Sequence, residues 1–397
     1  MKKSALTCAV LALAGAGPTA ADAFIDAVTG GKASGDFRLR YEDVSQDNAV
    51  KDASALTLRT HLGYETAELN GFSAKIEMED VRIVAGQGDY TVGPTGYNPG
   101  EYSVIADPEH TELDQGYVQY KTDGFTAKLG RQVMTYDGHR FIGHVGWRQD
   151  RLTYDALKLD YAPMKGVNLS YAYLDQRNGI FAEQADVDSK DHLLNAAIDT
   201  PVGKLVVYSY MLEVDNGTDN VLDTTGVSLK GDTSLGEVKV MYALEFAQQD
   251  AEQGTVDREA DYSLLELGAA AAGLTIKAGM ETLGSDDSLY GFSTPLATLH
   301  KFNGWADTFL ATPAVGLVDT YVSVGGKLLG GGWTVVHHQY DADEETTALD
   351  KLGNELNVVY ARKFGKYYNA GIKYADYNAK DFSVDTEKLW VWVGLSF

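Results

Sequence analysis

Apolar and polar residues alternate with a period of two along most of this chain, the spacing of β-strands rather than helices. In residues 34–42, Phe37, Leu39 and Tyr41 fall on one face and Asp36, Arg38, Arg40 and Glu42 on the other. Residues 56–64 set Leu56, Leu58, Leu62 and Tyr64 opposite Thr57, Arg59, His61 and Gly63. Residues 72–79 set Phe72, Ala74, Ile76 and Met78 opposite Ser73, Lys75, Glu77 and Glu79. The same pattern predicts further strands over 113–121, 125–132, 154–161, 167–174, 192–199, 204–212, 224–230, 237–247, 262–269, 274–282, 317–325, 332–340, 354–361, 367–376 and 387–397, which makes 18.

The connections alternate in length. Short ones at 65–71, 122–124, 162–166, 200–203, 231–236, 270–273, 326–331 and 362–366 carry turn chemistry such as Thr-Asp-Gly, Pro-Val-Gly and Gly-Gly-Gly. Long ones fall at 43–55, 80–112, 133–153, 175–191, 213–223, 248–261, 283–316, 341–353 and 377–386. Short turns on one side and long loops on the other mark an outer-membrane barrel. Lipid satisfies no backbone hydrogen bonds, so strands cross it only as a closed sheet. The fold class expected is therefore all-β: a transmembrane antiparallel up-and-down β-barrel of about 18 strands, with short periplasmic turns and long extracellular loops. A periplasmic sandwich needs no such alternation of loop lengths, and no repeat of 20–50 residues suggests a solenoid.

The N-terminus reads as a separate element. Lys2 and Lys3 precede an apolar stretch, Ser4 to Ala16, and Ala21-Asp22-Ala23 fits a cleavage site. Residues 1–23 are thus expected to be a signal peptide, with 24–397 a single barrel domain. The only cysteine, Cys8, leaves with the leader, so the mature chain has no disulfide and no thiol chemistry. Losing Lys2, Lys3 and Asp22 from 33 basic and 57 acidic residues leaves a net charge of −25. That charge excludes nucleic acid as a partner, and 44% hydrophobic residues exclude disorder.

Enzyme motifs are absent: no Gly-x-Ser-x-Gly, no His-Glu-x-x-His and no P-loop. No cofactor and no metal site is expected; Asp215-Asn216-Gly217-Thr218-Asp219 hints at calcium but misses the EF-hand spacing. The expected activity is passage of solutes, with an outer-membrane enzyme or an adhesion barrel as readings from other classes. A barrel of this size is wide enough for an aqueous channel, and its selectivity follows from whatever narrows and lines it. By strand phase Arg38, Arg40 and Arg59 face the lumen on adjacent strands, and Lys75, Lys121 and Lys128 continue a basic wall. Loop 133–153 follows Arg131 and contains Arg140, Arg148 and Arg151, so inward folding places cations at a constriction. Inward Asp36, Glu42, Glu77 and Glu79 offer an alternative, in which arginines pair with carboxylates and stiffen the wall. A second channel reading is a weakly cation-preferring porin governed by acidic loops; residues 341–350 hold five acids and no base.

Two segments go beyond a generic barrel. One is Gly130-Arg131-Gln132 with Arg140-Phe141-Ile142-Gly143 and Gly146-Trp147-Arg148-Gln149. The other is His300-Lys301-Phe302-Asn303-Gly304-Trp305-Ala306-Asp307, followed by Thr312-Pro313 and Gly316-Leu317-Val318-Asp319. Together they resemble the alginate-export family of outer-membrane porins. The resemblance implies an 18-stranded barrel with an Arg-rich conduit for acidic saccharide, and carries Arg131, Arg140 and Arg148 over as candidate anion contacts. This chain looks shorter than the alginate exporter itself, so small anionic or saccharide solutes, rather than polymer, are the expected cargo. The other partners expected are outer-membrane lipid and lipopolysaccharide, and the barrel-assembly machinery through a last strand ending in Phe397.

Overall fold

The computed structural model describes residues 18–92, 97–218 and 220–397. Its centre is one closed antiparallel sheet of 18 strands. These are β1 (Lys32–Gln46), β2 (Ala53–Glu65), β3 (Phe72–Asp89), β4 (His110–Thr122), β5 (Phe125–Gln132), β6 (Thr153–Met164), β7 (Val167–Asn178), β8 (Val187–Thr200) and β9 (Gly203–Glu213). They continue as β10 (Val221–Leu235), β11 (Val238–Gln253), β12 (Val256–Ala271), β13 (Leu274–Leu283), β14 (Leu317–Leu328), β15 (Gly331–Asp341), β16 (Lys351–Phe364), β17 (Tyr368–Ala379) and β18 (Thr386–Ser396). Each strand pairs with its sequence neighbours, and β18 returns to β1 with Asp36 opposite Ser396 and Arg40 opposite Trp392. Phe397 finishes the seam by exchanging backbone hydrogen bonds with Gly35 and stacking near Phe37.

Alternation has the expected physical outcome. Leu62, Ile76, Val118, Leu129, Leu265, Ile276, Val322 and Val393 are exposed on the outer face, where a bilayer solvates them. Arg40, Glu42, Glu79, Glu281 and Glu355 are buried on the inner face. This is the reverse of a water-soluble sandwich.

The expected connection 248–261 is corrected. β11 and β12 run on and meet in a two-residue turn, with Gln253 opposite Val256. This stretch stands beyond the lipid, so its outward residues need not be apolar: Gln248 and Asp250 point out while Ala247, Gln249 and Ala251 are buried. A period-two hydrophobic signal vanishes there although the strand does not. The expected connection 80–112 is also shortened, because β3 runs on to Asp89; the loops at 133–152 and 284–316 fold into the barrel. Their Phe141, Ile142, Phe292, Leu296 and Phe309 pack with inward Tyr208, Tyr210, Tyr262 and Tyr340 as one internal apolar core.

Helix α1 (Pro18–Thr29) crosses the expected cleavage point. The Tyr64 hydroxyl donates to the Val28 carbonyl, and the Ala67 N–H donates to Ala27 at 2.9 Å, which holds the helix at the short-turn rim. Residues 1–17, most of the expected leader, lie outside the described residues.

Candidate functional site: a constriction built by two inner loops

Loops 133–152 and 284–316 meet inside the barrel. The Gly143 N–H donates to Leu296 at 2.7 Å, and the Thr298 N–H donates to His139 at 3.0 Å. Gly143 approaches so closely that a Cβ would collide with the Thr298 backbone and hydroxyl. Gly304 has φ +89°, and a Cβ there would strike the Glu355 carboxylate and the Tyr340 hydroxyl. Gly143 and Gly304, two of the glycines in the motifs singled out in the sequence, are thus required by close packing of the loops.

The arginines build this contact. Arg140 donates to Glu281 on β13 at 2.7 Å and to Asn303 at 3.1 Å. Asn303 in turn donates to Glu281 at 2.7 Å. Arg148 makes a two-pronged pair with Glu42 on β1. Arg151 bonds Glu77 and Asp114. From the wall, Arg38 donates to the carbonyls of Gly146, Trp147 and Arg148 and to the Gln149 side chain. Arg40 bonds the Trp147 carbonyl and Asp107, and lies 3.1 Å from Glu42. Arg59 pairs with Asp36, and Arg131 with Asp155 at 2.8 Å. Lys75 pairs with Glu77 at 2.9 Å. Lys128 forms no ion pair among the described residues; its ammonium lies 4.3 Å from the Tyr117 ring centre. The structure therefore brings Arg38, Arg40, Arg140, Arg148 and Arg151 to the constriction, and leaves Arg59, Lys75, Lys128 and Arg131 on the wall.

Lys373 and Lys388, not singled out in the sequence, join residues of the two noted segments at the constriction. His300 stacks on Trp147 with ring centres 4.9 Å apart. Its Nδ1 lies 2.6 Å from Asp307, and its Nε2 lies 2.6 Å from the Lys373 ammonium. Lys373 sits over Trp147 and Trp305 at 4.2 and 4.0 Å. Lys388 donates to Asp307 at 3.0 Å. Burial opposes ionisation of Asp307, but His300, Lys388 and Arg148 together hold its carboxyl well below the usual range. Burial foremost, with Lys373 beside it, holds the His300 imidazole well below its ordinary pKa against the pull of Asp307. Lys373 and Lys388 lie 73 and 81 residues from the loop partners they meet, so spacing gave no signal for them.

Two cavities border the inner loops. One, of about 510 Å³, is lined by Arg148, His300, Asp307, Thr308 and Lys388. The other, of about 570 Å³, is lined by Lys230, Lys277, Lys301, Phe302, Trp305 and Tyr321, together with Glu266, Glu281 and Asp319. Lys230 and Lys277 pair with Glu245 and Glu266 at 2.9 and 2.8 Å. Lys301 donates at 2.8 Å to the Gly138 carbonyl. In the former calcium candidate, Asp215 pairs with Lys190 at 2.9 Å, and Asp219 lies outside the described residues.

A closed barrel with a lipid-facing apolar belt, a polar interior and loops folded inward is the architecture of an outer-membrane porin. Residues 31–277 match the alginate export family, and the chain belongs to that family. The match stops before loop 284–316. No curated protein matches the chain in sequence. Among solved structures it is similar to OccAB4 of Acinetobacter baumannii, at 15% identity and TM-score 0.74, covering 92% of this chain and 98% of that one. OpdK of Pseudomonas aeruginosa, solved with vanillate, is similar at 12% identity and TM-score 0.72, covering 92% and 98%. OccK3 (OpdO) of the same organism gives 13%, 0.71, 96% and 99%.

Proposed function

We propose that this porin is a passive channel for small carbohydrate-like or anionic solutes, which it meets in the cavity lined by Lys230, Lys277 and Lys301. The carrying observation is the composition of that cavity. Its volume, about 570 Å³, suits a solute of one or two sugar rings and falls within the range of small-ligand pockets. Phe302, Trp305 and Tyr321 offer flat apolar faces, and three ammonium groups offer charge. Lys301 is the cation least compensated: partial burial foremost, then Lys230 and Lys277, push its pKa down. A bound carboxylate offsets that destabilisation. Glu266, Glu281 and Asp319 share the lining, which favours release, as conduction requires.

In this reading the arginines hold the constriction and set its field, while lysines and aromatics meet the solute. Vanillate, present with one of the similar barrels, is a small carboxylate and so of the same chemical class. Polymer export is not carried over, because Lys301 and its loop lie outside the matched span. Residues 1–23 serve in this reading as the export signal, and Phe397 as the mark read by the assembly machinery.

A test is block of the current through single channels in planar bilayers by glucuronate. Wild-type protein is expected to show concentration-dependent block, and Lys301→Ala to need about tenfold more solute, equivalent to roughly 1.4 kcal/mol. One observation favours a cation-preferring porin instead: the constriction arginines are neutralised by carboxylates within a chain of net charge −24. Absence of block, with a cation-selective zero-current potential in a salt gradient, establishes that second reading.

A further inference from the structure

At the base of the inner loop lies a cluster that the channel reading does not use. Glu79 on β3, His110 at the start of β4 and Asp150 at the end of loop 133–152 converge, with one ligand-type atom of each within 4.8 Å of the others. Their side chains are 0%, 7% and 1% exposed. His110 Nε2 lies 3.3 Å from Glu79 Oε1 and 3.5 Å from Asp150 Oδ2. Neither approach has hydrogen-bond geometry. Glu79 Oε1, His110 Nε2 and Asp150 Oδ1 are all buried without a hydrogen-bond partner. Buried polar atoms without partners are costly, and here the unpaired Glu79 Oε1 and His110 Nε2 approach each other with the Asp150 carboxylate beside them.

The surroundings orient them as metal ligands are oriented. His110 Nδ1 lies 3.1 Å from the Pro108 carbonyl, which only accepts, so a proton sits on Nδ1 and Nε2 is turned to the carboxylates. A backbone carbonyl in that position is the usual support of a ligating histidine. The other Glu79 oxygen is bonded by His61, and Asp150 Oδ2 accepts from the Ala182 N–H at 3.2 Å. The adjacent group of His61, Glu77 and Asp114 differs. The Arg151 guanidinium bonds both of its carboxylates, so it already contains a cation.

We propose that Glu79, His110 and Asp150 form a binding site for a divalent ion of the zinc class. One imidazole nitrogen and two carboxylates are a zinc donor set, with a fourth position left for water. The ion ties the inner loop to the wall at Asp150, between Gln149 and Arg151, and so helps fix the constriction. This inference is independent of which solute passes.

The experiment uses untagged full-length protein, purified folded in detergent, stripped with EDTA and titrated with zinc against a chromogenic chelator. One zinc per chain is expected. Asp150→Asn and Glu79→Gln should each weaken binding by at least about tenfold, while His337→Ala, on the outer face, should leave it unchanged. Added zinc should also raise the temperature of heat-modified migration in wild type only. If a substituted barrel fails to fold, wild-type stoichiometry decides. No stoichiometric zinc, or equal affinity in Asp150→Asn, overturns the proposal and leaves His110 as a protonated partner of the two carboxylates.

Discussion

Arg148 donates hydrogen bonds of 2.9 and 3.2 Å to the two oxygens of Glu42, joining an inner loop to β1 across the lumen. Their side chains are 6% and 2% exposed, so salt screens the pair little. Removing one partner of such a pair strands the other charge and costs about 3–5 kcal/mol. Arg148→Ala should therefore loosen the loop, seen as larger and noisier single-channel currents. Glu42→Gln should do the same. The two changes together should do less than the sum of each alone; strict additivity would show that the residues are not coupled.

Selectivity should respond to the arginines through the carboxylates they cover. Replacing Arg131, Arg140 and Arg148 together by Ala uncovers Asp155, Glu281 and Glu42. The anion-to-cation permeability ratio should fall in planar bilayers. Deleting the acidic run 341–350 should change it much less, since charges beyond about 8–10 Å are screened at physiological salt. Unchanged selectivity in the triple variant would mean that the pairs only stiffen the passage.

Acidification should destabilise the constriction through His300. Its pKa is held well below the ordinary value by burial and by Lys373. An opened loop, with His300 in water, titrates near 6.5. The open state then binds more protons whenever pH is below that value, so the closed state is favoured least in acid. Its stability is complete above about pH 6.5 and declines as pH falls below it. His139 and His144 on the facing loop are shifted in the same direction, chiefly by burial. Current fluctuations should rise from pH 7 to pH 5 in wild type, and less in His300→Gln. A flat pH profile in wild type would contradict this.

The barrel was legible because lipid imposes a strict rule on every strand. Outward Leu265 and Leu267 alternate with inward Glu266 and Gly268 wherever the bilayer lies outside. Legibility ended at the lipid boundary: Gln248–Gln253 stays paired with Val256–Asp261 but has water outside, so it reads as a loop. Inside the lumen, Arg140 and Arg148 stood out because a cation-rich loop much longer than its turn requires has a reason to fold inward. Their partners did not stand out. Glu281 lies 141 residues from Arg140, and His300 lies 73 from Lys373; only closure of the barrel brings them together. Lys301 sits within a segment noted for its motif, but nothing local shows that Lys230 and Lys277 face it.

Liposome swelling tests solute choice most directly, with one sugar skeleton presented as the neutral sugar, its acid and its amine. Wild-type channels should admit glucuronate faster than glucosamine of nearly equal size, with glucose between them. The triple change of Lys230, Lys277 and Lys301 to Ala should abolish that order while glucose still enters. Faster entry of glucosamine in wild type, or an order unaltered by loss of the three lysines, would contradict a lysine-lined solute cavity.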